Sequence, residues 1–301
     1  MTARTVSIGA PFSWLMKAFD VGRRNPRALF GGFAILMVVG LVPTVVQMAL
    51  QAALPEQPAL MWSLYALVML ASLVAMPPLT GAAIRLLHDC ETGRPAAATD
   101  IFNGYRDRGF AARMVLTSLL VMLSYVAVFL LLFTVVPGKE FFAELFMRAA
   151  TTPPGGQPDM AGMPPLPPSF LLWLLAAAAL LVVLGNAYML AFAQAALGGH
   201  GPVAAVGSGL AATLRNLLPL VGFFLVASVV GFFALLLVAL VLGVVGGVLG
   251  LVSPLLAILL VIPVYLGLVL VLYVVMFGFY YHGWREIFGE PAAAPADTLA
   301  V

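Results

Sequence analysis

Charged side chains are scarce in this sequence. Asp, Glu, Lys and Arg make up 9% of its 301 residues, whereas an ordinary soluble domain carries roughly 25%. A soluble globule with so few charges would not stay in solution, which excludes a soluble enzyme, a nucleic-acid-binding protein and a disordered chain. The net charge of +2 is too small to favour a nucleic-acid partner. The single cysteine, Cys90, excludes an intramolecular disulfide.

Long apolar runs are abundant instead, since hydrophobic residues make up 63% of the chain. A helix that crosses the hydrocarbon core of a membrane needs about 20 apolar residues. Six charge-free segments meet this requirement, and they predict spans at residues 28–50, at 60–84, between Arg113 and Lys139, and at 170–197, 217–242 and 255–281. The Gly-rich residues 243–250 and the following Ser253-Pro254 predict the turn between the last two spans. Pro77 and Pro78 predict a break or kink near one end of the second span.

The basic residues indicate the orientation of these spans. Of the 14 Lys and Arg residues, only Lys139 and Arg148 fall on the side opposite to the others. Because basic residues are enriched in cytoplasmic loops, this asymmetry predicts that both termini are cytoplasmic. The resulting prediction is an all-α, polytopic membrane protein with a single transmembrane domain over residues 1–290 and a disordered tail over residues 291–301.

The N-terminal segment is the most regularly patterned polar part of the chain. Phe12, Leu15, Met16 and Phe19 recur at helical spacing, so we expect a short amphipathic helix in the inner-leaflet interface. A helix that binds a partner or regulates the protein is the alternative. Two tryptophans and four basic residues are predicted to contact the membrane interface and its anionic lipids. They are Trp14, Lys17, Arg23, Arg24, Arg27 and Trp284.

A weak internal repeat predicts how the spans are arranged. Pro95 and Pro202 each precede a run of small residues, and Arg108 and Arg215 have the same spacing as the two prolines. This pattern predicts three parallel helical hairpins, over residues 10–93, 94–200 and 201–290, each introduced by an interfacial segment on the cytoplasmic side.

Two short motifs carry a resemblance to a known family. They are Trp14-x4-Phe19-x2-Gly22-Arg23-Arg24-Asn25-Pro26 and Gly93-Arg94-Pro95 followed by Asp100-Ile101-Phe102-x-Gly104-Tyr105-Arg106. The chain resembles a family of uncharacterised proteobacterial inner-membrane proteins of about this length. Its general plan also resembles the membrane domain of some glycerophosphoryl diester phosphodiesterases, although the soluble phosphodiesterase domain is absent. The resemblance implies six helices in a bacterial inner membrane, and it implies no activity.

Candidate chemistry is sparse. None of the predicted spans carries an ionisable residue at mid-depth, which disfavours an ion-coupled carrier. Gly207-Ser208-Gly209 has the pattern of a serine-protease site, but small-residue packing is the preferred interpretation. His88, His200 and His282 each follow an even-numbered span and are weak candidates for a metal site. We otherwise predict no catalytic residue, metal or cofactor.

Two further groups of residues are candidates for structural or ligand contacts. Asn186 and Gln194 lie eight positions apart, so they share a helix face and are candidates for lining a cavity. Gly243, Gly247 and Gly250 are spaced as in close-packing helix motifs and are candidates for helix packing.

These observations leave three functional hypotheses. The first is a non-enzymatic membrane protein that handles lipid or organises envelope proteins, with a membrane-protein partner as a further prediction. The second is a channel or facilitator for a neutral or apolar solute. The third is a membrane-embedded enzyme that modifies lipids.

Overall fold

A computed structural model describes residues 3–151 and 161–289 of the chain. All regular elements within these two ranges are helices. They are α1 (Ala10–Phe19), α2 (Pro26–Ala53), α3 (Pro58–Thr92), a 3-10 turn (Ala98–Phe102), α4 (Asn103–Arg106), α5 (Arg108–Thr134), α6 (Lys139–Thr151), α7 (Ser169–Ala196), α8 (Pro202–Arg215), α9 (Leu217–Val252) and α10 (Pro254–Phe288). The prediction for residues 291–301 lies outside the described residues.

Six helices are long and apolar enough to cross a membrane: α2, α3, α5, α7, α9 and α10. The shortest of them, α5, has 27 residues. At about 1.5 Å per residue such a helix extends about 40 Å, beyond a hydrocarbon core of about 30 Å. The all-helical fold and the six predicted spans are confirmed, and they are consistent with a multi-pass membrane protein.

The turn between the last two spans lies at Ser253-Pro254, which confirms the second part of the predicted turn. Helix α9 continues through the Gly-rich residues 243–250 and ends at Val252, so the predicted turn there is wrong. A glycine inside a helix costs only about 1 kcal/mol, whereas an unpaired backbone group in hydrocarbon costs several. The helix therefore continues until Ser253. Pro254 then starts α10, because its missing N–H is unneeded in a first turn.

Helix α3 likewise continues past Pro77 and Pro78, so a break at this point is wrong. Its final residue, Thr92, is followed by Gly93 in the left-handed conformation, with a φ of 73°. Helix α4 packs against the helical turn of α3 that contains Pro77 and Pro78. There the Tyr105 hydroxyl donates to the carbonyl oxygen of Ala75. Burial raises the pKa of Tyr105, which keeps this hydroxyl a donor.

Buried residues gather at one end of the bundle. This end contains the starts of α2, α5 and α9 together with the ends of α3, α7 and α10, and we call it the basic end. Leu29, Leu87, Phe110, Phe192 and Tyr281 are among its most deeply buried side chains. Toward the other end fewer side chains are buried, and the most apolar stretches of α9 and α10 contain no buried residue.

Short helical segments precede three of the long helices and complete the basic end. Helix α1 packs on α10, the 3-10 turn packs on α2, and α8 packs on α7. A Cβ at Gly209 would overlap the backbone of Ala187 and Ala191. This close approach confirms small-residue packing at Gly209. The arrangement as three parallel hairpins, with domain and repeat boundaries at 10–93, 94–200 and 201–290, stays a prediction.

The segment before α1 also packs against the basic end. Residues 3–9, which we call the N-terminal strap, cross the junction of α8 and α9 and reach α10. The amide of Arg4 donates to the carbonyl of Ile287 at 2.8 Å. The buried Asn216 accepts from the amide of Val6 at 2.8 Å and donates to the carbonyl of Arg4 at 3.0 Å. Arg215 donates to the carbonyl of Ala3 at 2.6 Å.

Candidate functional site

The last turns of α3 carry the most concentrated polar group at the basic end. Arg85, His88 and Asp89 are three and four positions apart, so they share one side of the helix. Arg85 Nε donates to the carbonyl of Ala196 at 3.1 Å. This carbonyl belongs to the final turn of α7, where carbonyl groups lack partners within the helix and carry the negative end of its dipole. Arg85 therefore completes the end of α7.

The same guanidinium also contacts α5. Its central carbon lies 3.6 Å from the centre of the Phe110 ring, and Phe110 is buried. A stacked arginine of this kind contributes about 0.5 to 2 kcal/mol. Arg85 is thereby fixed among α3, α5 and α7, and its position is set before any ligand arrives.

Two neighbouring polar pairs hold the rest of the group in place. His88 Nδ1 lies 3.0 Å from the Tyr281 hydroxyl of α10. The Arg285 guanidinium lies 5.6 Å from the centre of the same Tyr281 ring. Arg94, after the end of α3, pairs with Asp89 at 3.5 Å. The cluster thus connects α3 to α7 and α10.

These side chains line a cavity of about 340 Å³, which we call the Arg85 cavity. Its lining consists of Arg85, His88, Asp89, Arg94, Ala196, Leu197 and Trp284. Trp284 is 1% exposed, and its Nε1 has no acceptor among the residues that the structure describes. Two guanidinium groups and an imidazole line this space together with one carboxylate, which Arg94 already pairs with. Such a donor-rich lining is suited to an anion with several acceptor oxygens.

A second polar cavity, of about 320 Å³, lies on the other side of α3 and shares Arg85 and Asp89 with the first. It adds the Asp100 carboxylate, which accepts from the amide of Ala97 at 2.7 Å and from the Asn103 side chain at 3.1 Å. With two carboxylates for one arginine, this cavity is less suited to an anion than the Arg85 cavity.

The two tryptophans predicted for the membrane interface are buried in protein. Trp14 is 1% exposed, and its Nε1 donates to Glu286 at 2.7 Å. Its ring lies against Gly283, where an added Cβ would approach it to 3.0 Å. Trp284 lines the Arg85 cavity instead. Neither indole lies at the outer surface of the bundle, so the prediction that both belong to an aromatic belt at the membrane interface is wrong.

The four predicted interfacial cations lie at the surface of the basic end. Lys17 and Arg27 are exposed. Arg23 pairs with Asp20 at 2.8 Å, and Arg24 donates to the carbonyl of Glu91 at 2.6 Å. Their contact with anionic lipid stays a prediction.

The three histidines do not form a metal site. Among the described residues, no group of three or more His, Cys, Asp or Glu side chains is placed to hold a metal ion. His88 is engaged with Tyr281. His282 follows Tyr281 directly, and successive helical residues diverge by about 100°. His200 lies beyond the end of α7, where its amide donates to the carbonyl of Gln194. The hypothesis of convergence is therefore wrong.

The remaining candidates have mixed outcomes. Asn186 and Gln194 are both buried in α7, as a shared helix face requires, but neither lines the Arg85 cavity. Asn186 donates to the carbonyl of Val182 at 2.8 Å. At Gly243, Gly247 and Gly250 an added Cβ would meet nothing within 4 Å, so the prediction of helix packing there is wrong. Gly246 instead faces α10, since its added Cβ would lie 3.3 Å from Val261.

Sequence reasoning missed the Arg85 cavity. The spacing of Arg85, His88 and Asp89 on one helix face is the signal in the sequence that could have indicated it. The position of Trp284 beside this cavity could not be predicted from the sequence, because it depends on the packing of α10 against α3.

Comparison of the chain with protein-family models, with curated proteins and with solved structures gave no match. The resemblance to proteobacterial inner-membrane proteins therefore stays a prediction.

Proposed function

We propose that the chain is a non-enzymatic integral membrane protein that handles lipid, and that it binds the phosphate of an anionic phospholipid in the Arg85 cavity. The observation that carries this proposal is the donor-rich lining: Arg85, Arg94 and His88 border the same space. We further propose a bacterial inner membrane as its location, with both termini cytoplasmic.

The position of the cavity favours a lipid over a soluble anion. It lies at the ends of α3, α7 and α10, three of the six candidate membrane spans. Ends of spanning helices lie at the level of lipid headgroups, and a basic surface near an anionic leaflet gains about 1 kcal/mol for each Lys or Arg. The exposed Lys17, Arg23 and Arg27 of the same end add to this attraction.

The experiment measures phosphatidylglycerol binding to the full-length protein by native mass spectrometry after gentle release from the membrane. Arg94→Gln removes one charged donor from the cavity and leaves the Arg85 contacts in place. We expect about tenfold weaker binding, equivalent to about 1.4 kcal/mol. Arg23→Gln is the matched control, because Arg23 is a surface cation outside the cavity.

Three outcomes would overturn parts of the proposal. Equal phosphatidylglycerol binding by all variants would remove the cavity as the site. Displacement of the lipid by millimolar inorganic phosphate would favour a soluble anion. Release of a cleaved product from the lipid would favour the alternative of a lipid-modifying enzyme, and solute flux through the protein in liposomes would favour a channel.

A further inference from the structure

Helix α1 has two apolar faces, and only one of them packs against the protein. Trp14 and Ala18 are each 1% exposed and lie against Gly283 and Gly278 of α10. A second row, on another side of the helix, is exposed and consists of Phe12, Met16 and Phe19. A surface helix of a soluble protein carries polar residues on the side that faces away from the core. The composition of this second row therefore indicates a surface that is covered by something apolar.

Helix α8 has the same arrangement. Its residues Ala205, Gly209 and Ala212 are buried, and an added Cβ at Gly209 would lie 2.8 Å from the amide nitrogen of Ala191 in α7. Its exposed row consists of Val203, Leu210 and Leu214, whose spacing places them on one face of the helix. Arg215, its last residue, is the one charged residue of α8.

The 3-10 turn and α4 form a third segment of this kind. Gly104 is buried against the backbone of Pro78 in α3. Phe102 and Tyr105 are three positions apart, and each is 42% exposed. We call the exposed rows of these three segments together the apolar collar, since the segments pack on α2, α3, α7 and α10 around the basic end.

The apolar collar coincides with a change in the surface of the long helices. The three segments contact α3, α7 and α10 well before these helices end. Beyond the contacts the exposed residues of α3 and α10 are polar, namely Thr92 and Glu286. On the side of the spans the exposed residues are mainly apolar, for example Val38, Leu116 and Leu225. The surface thus changes from apolar to polar at the level of the collar.

Basic side chains lie directly beside the apolar collar. Each exposed row has an exposed cation next to one of its members in the sequence, and these cations are Lys17, Arg106 and Arg215. Apolar residues flanked by Lys or Arg are typical of a helix that lies in the plane of a membrane surface. Each such cation gains about 1 kcal/mol near an anionic leaflet. Charge and apolarity together therefore favour an anionic lipid surface over a second protein as the partner of the collar.

We propose that the apolar collar lies in the membrane interface, with its exposed rows at the boundary between the headgroups and the acyl chains of an anionic leaflet. Continuity supports this partner, because the collar adjoins the apolar surface of the six candidate spans. Helix α1 then contacts lipid through a face other than the one that carries Trp14.

The collar also defines the depth of the Arg85 cavity. Arg85 lies three residues beyond Ala82, which Gly104 contacts, and this spacing corresponds to about 4.5 Å along the axis of α3. The cavity is thereby placed in the headgroup layer. The depth of the collar does not depend on whether this cavity binds phosphate.

The experiment measures the depth of nitroxide labels by electron paramagnetic resonance, with the full-length protein in vesicles of phosphatidylethanolamine and phosphatidylglycerol. Met16→Cys and Leu214→Cys each place a label on the collar, and Thr92→Cys places one beyond it. Oxygen partitions into hydrocarbon whereas a nickel chelate stays in water, so the ratio of their collision rates reports depth. We expect both collar labels about 5–10 Å into the boundary, with a ratio several-fold higher than at Thr92.

Matched controls separate depth from labelling effects. Lys17→Cys is the control within α1, because Lys17 is exposed beside Met16 on another side of the helix, and its ratio should be closer to that at Thr92. The native Cys90 is 1% exposed, so the wild-type protein treated with the same reagent gives the background.

Three results would overturn the proposal. Nickel-chelate access at Met16 and Leu214 equal to that at Thr92 would show that the rows face water. Low access of both reagents would show that a second copy or another protein covers the rows. Depths of the two rows that differ by more than about one helical turn, about 5.4 Å, would show that they do not share a level. Phosphatidylglycerol binding by Arg94→Gln is measured separately and leaves these depths unchanged, so failure of the collar and failure of the phosphate site are distinguishable.

Discussion

The two ends of the same helices differ in how they pack, although both are rich in apolar residues. In α10, Val274, Phe277, Tyr281 and Trp284 are buried, whereas Leu255, Leu259 and Tyr265 near its start are exposed. Apolar contacts between helices gain little in a membrane, because lipid chains are as apolar as leucine. Packing there depends on close approach, aromatic contacts and hydrogen bonds. Hydropathy therefore identifies the spans in the sequence, whereas small, aromatic and polar residues determine where the helices contact one another.

The largest expected effect comes from removing a buried ring at the basic end. Trp14→Ala deletes a side chain that fills the space beside Gly283 and bonds Glu286. We expect it to lower the free energy of unfolding by about 3–5 kcal/mol, as large-to-small core substitutions do. Thermal unfolding in detergent measures the effect. Trp62→Ala, the same change at the exposed end, should leave the melting temperature nearly unchanged, and equal losses in both variants would contradict the distinction between the two ends.

A smaller effect is expected from adding one methyl group. Gly104→Ala would place a Cβ on the carbonyl oxygen of Pro78, where backbone has little room to move. We expect a loss of about 1–3 kcal/mol, typical of overpacking. Gly243→Ala is the control in α9, where the added atom meets nothing. It should stabilise the protein by about 0.5–1 kcal/mol through helix propensity. Urea titration followed by circular dichroism compares the two, and stabilisation by Gly104→Ala would refute the close contact.

The smallest effect tests the N-terminal strap. Asn216→Ala removes the side chain that accepts from Val6 and donates to Arg4. We expect a loss of about 1 kcal/mol, the net value of typical hydrogen bonds, together with faster proteolysis of residues 3–9. Ser72→Ala in α3 removes only a bond to the carbonyl of Val68 within the same helix, and it should change stability by less than about 0.5 kcal/mol. Unchanged proteolysis in Asn216→Ala would show that the strap is held by other contacts.

The spans were predictable from the sequence because uninterrupted hydropathy is a local property. The site was not, because Arg85 meets Ala196 and Phe110 across long sequence separations. The buried role of Trp14 was equally hidden, since tryptophan has the same composition signal at an interface and in a core. The helical conformation of the Gly-rich residues 243–250 was not predicted either. Glycines favour turns in water, but they remain helical where backbone groups have no alternative hydrogen-bond partner.

The hydrogen bonds of the N-terminal strap determine when it can bind to the bundle during synthesis of the chain. Its residues 3–6 bond to residues 215, 216 and 287, all of which leave the ribosome long after the strap itself. The strap therefore closes only after α10 has been synthesised and laid against the bundle. Before α10 is synthesised, the Trp14 ring lacks both Gly283, against which it packs, and Glu286, to which its Nε1 donates. Protection of these first residues from protease in a growing chain would mark the moment when the last apolar helix is in place.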